Sequence, residues 1–382
     1  MLTSPILLDY QSSTPCLEEV VESMHPFWTK NFANPSSKSN LANINARAVL
    51  EVSRVRIQTF LNLKKRKLIF TSGATESNNL ALIGLARRFY QRTGNYGHII
   101  TLKTEHQAVL EPLRKLEKEG HTLTELEPEK DGLISKQKFL KALKPETFLV
   151  SIMLANNEIG VIQPLEWIHS ICSSKDIILH SDAAQCIGYT PTFNLDSYAN
   201  MITISSHKIY GPKGVGLLII DEGIELDPLL VGGGQEFGLR SGTLPVPLIV
   251  GFTKAIELAT KNFQKNVDKL SFLRDNLLEG LSENISQIEV NGSMRERLPH
   301  NLNITFSGVN GTLLHKKLKS KIICSSGSAC SNGKPSHVLL ALGKNIRQAE
   351  ASLRLSIGLM TSSDDIEKTI FEISNLVQTL RK

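Results

Sequence analysis

The stretch Ser205-Ser206-His207-Lys208-Ile209-Tyr210-Gly211-Pro212 follows the apolar run Met201-Ile202-Thr203-Ile204. A strand leaving a sheet needs Gly211 and Pro212 to turn, but it does not need two hydroxyls, an imidazole and an amine. A lysine desolvated near other cations loses basicity and becomes a nucleophile towards an aldehyde. Hydroxyl and imidazole groups beside it suit a phosphate. An aldehyde that carries a phosphate is pyridoxal phosphate (PLP). In this reading Lys208 takes the aldehyde carbon, and Ser205 and His207 hold the phosphate.

Four other polar clusters fit the same group. "TSGATESNN", residues 71–79, places small and hydroxyl residues between a strand-like run and a helix-like one. Free backbone N–H groups and the helix dipole make such a junction an anion site, although a plain cap by Thr71, Ser72 or Thr75 is the commoner use. Asp182 ends the apolar run of "DIILHSD", where an unpaired carboxylate is costly. A pyridinium N–H would hold it ionised and stay protonated as an electron sink. A salt bridge or a helix cap remains the alternative for a lone aspartate. Asn157 in "NNEIG" and Gln185 in "DAAQ" can hydrogen-bond the ring's phenolic oxygen, and His106 in "TEHQAV" can lie on the ring face.

The second chemical candidate is Cys330. Free cysteines are usually buried as small hydrophobes. Cys16, Cys172, Cys186 and Cys324 lie in or beside apolar stretches, whereas Cys330 has Ser328, Ser331, Asn332 and Gly333 around it. That setting suits a thiolate nucleophile, and equally a harmless surface thiol.

These residues must be positioned by something. Short β-branched runs ("KLIFTSG", "HIITL", "FLVSIML", "DIILHSD", "MITISS", "GVGLLII") alternate with helix-like segments, among them "TESNNLALIGLARRFYQ" and a helix ending at Gly120. The alternation predicts a largely parallel α/β sheet covered on both faces, with ligands at the carboxyl ends of its strands. After about Val250 the pattern changes to long helices and a few strands, which predicts a smaller α+β unit. Its last helix opens with a capping box, Ser362 and Asp365, and carries Ile366, Ile370, Ile373, Val377 and Leu380 as one stripe.

With 382 residues, 41% hydrophobic and 21% charged, the chain suits a soluble protein of two domains. A net charge of +6 is mild, and "KKRK" at 64–67 reads as a solvated loop; neither calls for nucleic acid. No signal pattern and no membrane-spanning apolar run is visible. Five cysteines without CxxC spacing argue against a disulfide framework or a zinc site, and point to a reducing cytoplasm.

Ten motifs in order, "LDYQSSTP", "NPSS", "TSGATESNNLAL", "KTEHQAVL", "NNEIGVIQP", "DAAQ", "SSHKIYGPKGVG", "LRSGTLPV", "SSGSAC" and "LRLSIG", run nearly the full length. The chain resembles a cysteine desulfurase of the NifS/IscS group, within the class V aminotransferases of PLP fold type I. "SSGSAC" after the lysine motif separates desulfurases from plain aminotransferases. The resemblance implies a large PLP-binding domain, 14–255, with a seven-stranded, mainly parallel sheet. A small α+β domain, 1–13 with 256–382, would carry the cysteine loop. It implies that L-cysteine is split into L-alanine and a persulfide on Cys330, passed to an acceptor such as an iron–sulfur scaffold.

Carried over by position, Lys208 is the PLP lysine, and His106 stacks on the ring and shuttles protons. Ala74, Thr75, Ser205 and His207 bind phosphate, while Asp182, Gln185 and Asn157 hold the ring. Thr243 reaches the cofactor of the other subunit of a homodimer, and Arg354 clamps the substrate carboxylate, a task for a forked donor. The chain departs from the family's usual residues at Ala33, Asn40, Phe237 and Leu359. A selenocysteine lyase, a class V aminotransferase and a non-catalytic assembly partner are the alternative readings.

Overall fold

A computed structural model describes residues 5–37, 39–191, 195–325 and 335–382. Its centre is a seven-stranded sheet in the spatial order Arg66–Thr71, Gly216–Asp221, Met201–Ser205, Ile178–Asp182, Thr147–Ser151, His98–Leu102, Thr122–Leu126. Six strands run parallel, and Gly216–Asp221 is antiparallel to both its neighbours. The reversal has a simple cause. A parallel return needs a crossover of a dozen or more residues, and the Lys208 turn between Ser205 and Gly216 is too short for one.

Side chains alternate across the sheet, so each strand feeds two cores. Ile69, Ile99, Leu149, Met201, Leu218 and Ile220 pack with Leu80, Leu82 and Ile83 of the Ala74–Thr93 helix and with Val109 and Leu113 of Gln107–Glu119. Phe70, Ile100, Val150, Ile202, Leu217 and Ile219 face the other way, towards Leu50 and Ile57 of Leu41–Phe60, Ile168 of Leu165–Ser173, and Ile249 and Phe252 of Val246–Lys261. Burial on both faces explains why these strands read as continuous apolar runs.

A second, antiparallel sheet joins Ser352–Ser356, Asn301–Phe306 and Ile288–Val290. The helices Phe263–Asn284 and Ser363–Leu380 lie on it with Leu270, Leu277, Ile366, Ile373 and Val377 buried. The capping box of the last helix forms as its sequence predicts, with Ser362 and Asp365 bonding each other's backbone N–H. Ile6–Leu7 pairs in parallel with Ile322–Ile323, and Asp9 then bridges Ser356 of the second sheet.

"KKRK" is only partly the solvated loop its charge suggests. Lys64 and Lys65 are exposed, but Arg66 is buried and ion-paired to Asp196 at 3.1 Å and Asp221 at 2.9 Å. It also donates to the carbonyls of Asp196, Ala199 and Asn200. No helix among the described residues is long and apolar enough to cross a membrane.

Candidate active site

The carboxyl ends of the parallel strands open into a cavity of about 590 Å³. Ala74, Thr75, His106, Asn157, Asp182, Gln185, Ser205, His207, Lys208 and Arg354 all line it. Residues predicted from motifs up to 280 positions apart in the chain therefore share one cavity. Thr243 is exposed and lies outside that lining. Cys330 lies outside the described residues.

One end of the cavity is built for an anion. The Ala74–Thr93 helix starts at Gly73, whose φ of 151° favours glycine, and no side chain caps its first turn. Thr71, a possible cap in the sequence, turns instead to the Ser77 hydroxyl at 2.7 Å and to the Gly73 carbonyl. Gly216 permits this arrangement, because a Cβ there would lie 2.6 Å from the Gly73 Cα. Beside the uncapped turn, the Ser205 hydroxyl is buried without a hydrogen-bond partner among the described residues. A buried hydroxyl of that kind wants an acceptor or donor. His207 completes the end with Nδ1 3.2 Å from the Ser13 hydroxyl. Burial, reinforced by Lys208 and Lys213, pushes its pKa down to about 4, so its imidazole is neutral near neutral pH.

Lys208 closes a short 3-10 turn, Ser206–Lys208. Thr14 staples that turn, donating its hydroxyl to the His207 carbonyl at 3.0 Å and accepting from Tyr210 N–H at 2.8 Å. A Cβ on Gly211 would meet the Ser206 hydroxyl oxygen at 2.2 Å, so the turn also requires that glycine. The Lys208 amine donates to the carbonyls of Gln11 at 2.6 Å and Ser12 at 2.9 Å.

At the opposite end Asp182 is 7% exposed. Its oxygens accept from Asn78 Nδ2 at 2.7 Å and from Ala184 N–H at 2.9 Å. Among the described residues it makes no ion pair. A buried carboxylate with two donors and no cation fits a protonated ring nitrogen, as the uncapped helix and the free Ser205 hydroxyl fit a phosphate. The donor set thus matches PLP from phosphate to ring nitrogen.

His106 caps the Gln107–Glu119 helix, its Nδ1 accepting from Ala108 N–H at 3.0 Å. Burial lowers its pKa; Asp182 opposes this, and Lys208 and His337 add to it. Gln185 Nε2 donates to the Gln11 carbonyl at 3.2 Å. Arg354 is buried at the rim, donating to Asp9 Oδ1 at 2.7 Å, the Ser12 hydroxyl at 2.6 Å and the Asn157 carbonyl at 2.8 Å. Its Nε has no partner among the described residues. The Arg354 backbone pairs with Ser325, the last described residue before the segment that holds Cys330.

Several contributors carry no chemical signal in the sequence. Glu105 is fully buried and accepts from Met153 N–H at 2.6 Å, and burial pushes its carboxyl pKa well above the ordinary carboxylate range. Glu158 accepts from the Ser336 hydroxyl, and burial raises its pKa to about 7. Gln11, Ser12 and Asp9 sit in "LDYQSSTP", a motif without an obvious role before the tertiary contacts exist.

None of the four departures lines the cavity. Asn40 caps the Leu41–Phe60 helix, and with Ala33 it borders a separate cavity of about 610 Å³. Phe237 is exposed over the Arg54 guanidinium at 5.3 Å, and Leu359 is tied through its backbone to the Tyr210 hydroxyl.

The sequence matches the family Aminotransferase class-V over residues 6–369. The cysteine desulfurase IscS of Glaesserella parasuis serovar 5 (strain SH0165) is 44% identical over 386 residues, covering 99% of this chain and 94% of that protein. A solved structure named as a NifS-like protein superposes with a TM-score of 0.90 at 32% identity, covering 98% of this chain and 100% of its own. The structure of SspA in complex with cysteine superposes at 0.81, with 36% identity and coverage of 93% and 99%. With this agreement along its length, the chain belongs to the class V aminotransferase family and, within it, to the cysteine desulfurases.

Proposed function

We propose that this protein removes sulfur from L-cysteine with PLP as cofactor, releasing L-alanine and keeping the sulfur as a persulfide on Cys330. The observation that carries this reading is the buried Asp182, held by two donors and lacking a cation, in the same cavity as Lys208. The cysteine bound in the SspA structure supports the substrate. When bound, PLP supplies an electrophilic aldehyde and a ring that withdraws electrons from the substrate's Cα.

The chain's own residues do the rest. Ala74 and Thr75 N–H groups, Ser205 and neutral His207 would hold the phosphate. Asp182 would hold the ring nitrogen, with Gln185 and Asn157 beside the phenolic oxygen. Lys208 would hold the aldehyde and, as a free amine, move the proton at the substrate Cα. Arg354 orients the carboxylate with its remaining donors. The Cys330 thiolate attacks the substrate sulfur. The S–S bond forms, the Cβ–S bond breaks with its electron pair left on carbon, and that carbon takes a proton to give alanine. His106 suits the last transfer: with Nδ1 occupied by Ala108 N–H, the neutral ring carries its proton on Nε2.

A homodimer in which Thr243 serves the neighbouring subunit's phosphate explains why this exposed residue lies away from its own cavity. The sulfur then passes to an acceptor protein such as an iron–sulfur scaffold or a thiolation enzyme. The cytoplasm is the compartment we assign, since the four described cysteines are free thiols.

Borohydride treatment of the PLP-loaded protein, followed by digestion, is expected to leave a pyridoxyl group on the Lys208 peptide. Cys330→Ser is expected to keep that adduct and lose persulfide formation and sulfide release. Absence of the adduct in the wild type sinks the cofactor reading. Normal persulfide yield in the serine variant sinks the role of Cys330.

A further inference from the structure

We infer that Asn78 is a positioning residue for the chemistry, holding the Asp182 carboxylate aimed at the ring nitrogen. The inference rests on the PLP reading above and adds to it a residue acting through Asp182. Asn78 is completely buried in the second turn of the Ala74–Thr93 helix. Asparagine is a poor residue for a helix interior, and a buried amide is costly unless it is bonded. Its Oδ1 has no partner among the described residues, so the amide is half satisfied and the position is not chosen for stability alone.

The orientation of the amide is fixed by chemistry. An ionised carboxylate only accepts, so the group facing Asp182 Oδ2 at 2.7 Å must be the NH2 end. Ala184 N–H holds Oδ1, so both oxygens are pinned and the carboxylate plane cannot swing. Both bonds donate to the carboxylate, the group that a protonated ring nitrogen would pair with. One helix therefore supplies both ends of the cofactor site: its uncapped start faces the phosphate, and one turn later it sets the carboxylate for the ring.

The test compares wild type, Asn78→Ala and Asn78→Ser as apoenzymes titrated with PLP carrying ¹⁵N in the ring. Loss of a hydrogen bond to a charged group predicts PLP affinity weaker by roughly 10- to 100-fold in the alanine variant. The ¹⁵N signal is expected to show the ring nitrogen losing its proton at a pH lower by about one unit or more. Serine retains a hydroxyl donor and is expected to fall between the two. Serine also stands in for alanine if the alanine variant fails to fold. Apoenzyme melting temperatures are expected to stay close to wild type.

Wild-type affinity and an unmoved ring-nitrogen titration in the variants overturn the inference. Weakened affinity with an unmoved titration makes Asn78 merely structural and overturns it equally. If the wild type itself binds no PLP, the cofactor reading has failed, and the inference fails with it.

Discussion

Lys208 rests between two backbone carbonyls of the Gln11–Ser12 segment, and Arg354 is held by Asp9 and Ser12 of the same segment. Lys208 and Arg354, proposed above to move the proton and to orient the substrate, are thus braced by one strap of chain. Arg354→Lys keeps the charge but cannot serve Asp9, Ser12 and Asn157 together, because lysine lacks the planar fork. We expect KM for cysteine to rise about 10-fold or more with PLP binding retained, as one charge-assisted bond is worth about that much; steady-state kinetics beside a PLP titration will decide it. Glu158 gives a pH prediction. Its folded pKa, about 7, is raised above the ordinary 4.5. The stability it contributes is complete below 4.5 and is lost as pH climbs through about 7. Glu158→Gln keeps an acceptor for Ser336 without titrating. Between pH 4.5 and 8 its stability should gain on wild type by about 1–3 kcal/mol, read from urea unfolding. Parallel stability curves for the two proteins rule this out.

Two elements meet tightly where the Ala74–Thr93 helix begins against the Gly216–Asp221 strand. Gly216→Ala would push a Cβ onto the Gly73 backbone, which has no flexible end to move aside. Overpacking of this kind costs about 1–3 kcal/mol. Here the displaced part is the end of the cavity proposed to take the phosphate, so PLP affinity should fall along with melting temperature. A variant that melts lower yet binds PLP normally argues that the helix start does not carry the phosphate. At the second sheet, helix and strand pack through Leu277, Ile373 and Phe306, far from the chemistry, and truncating Phe306 to alanine should cost about 3–5 kcal/mol. Chemical denaturation measures that loss, and a value near zero would mean that the buried Phe306 contacts do not hold this sheet together.

At the scale of the whole molecule, the site as drawn lacks Thr243, which faces outward. If a neighbouring copy supplies it, damage in two different subunits becomes complementable. Lys208→Ala and Thr243→Ala proteins are each expected to be impaired. Co-refolded mixtures should recover desulfurase activity, because a mixed pair places an intact Lys208 beside an intact Thr243. Mixtures no more active than the average of the two parents exclude the shared site.

Of the predicted residues that line the cavity, His106, Asn157, Asp182, Gln185, Ser205, His207 and Lys208 were legible as polar groups at or just beyond the ends of apolar runs, whereas the roles of Ala74 and Arg354 came from the family motifs. The parallel sheet was legible because strands buried on both faces must be apolar throughout. The burial of Arg66 and the roles of Asn78, Glu105 and Glu158 were not. Each depends on a partner distant in the chain, such as Asp182 for Asn78 across 104 positions or Ser336 for Glu158 across 178. Composition and spacing fix which groups a chain owns and which way local segments turn. Only the folded contacts decide which buried polar atoms find partners, and so which of them are left facing the cavity.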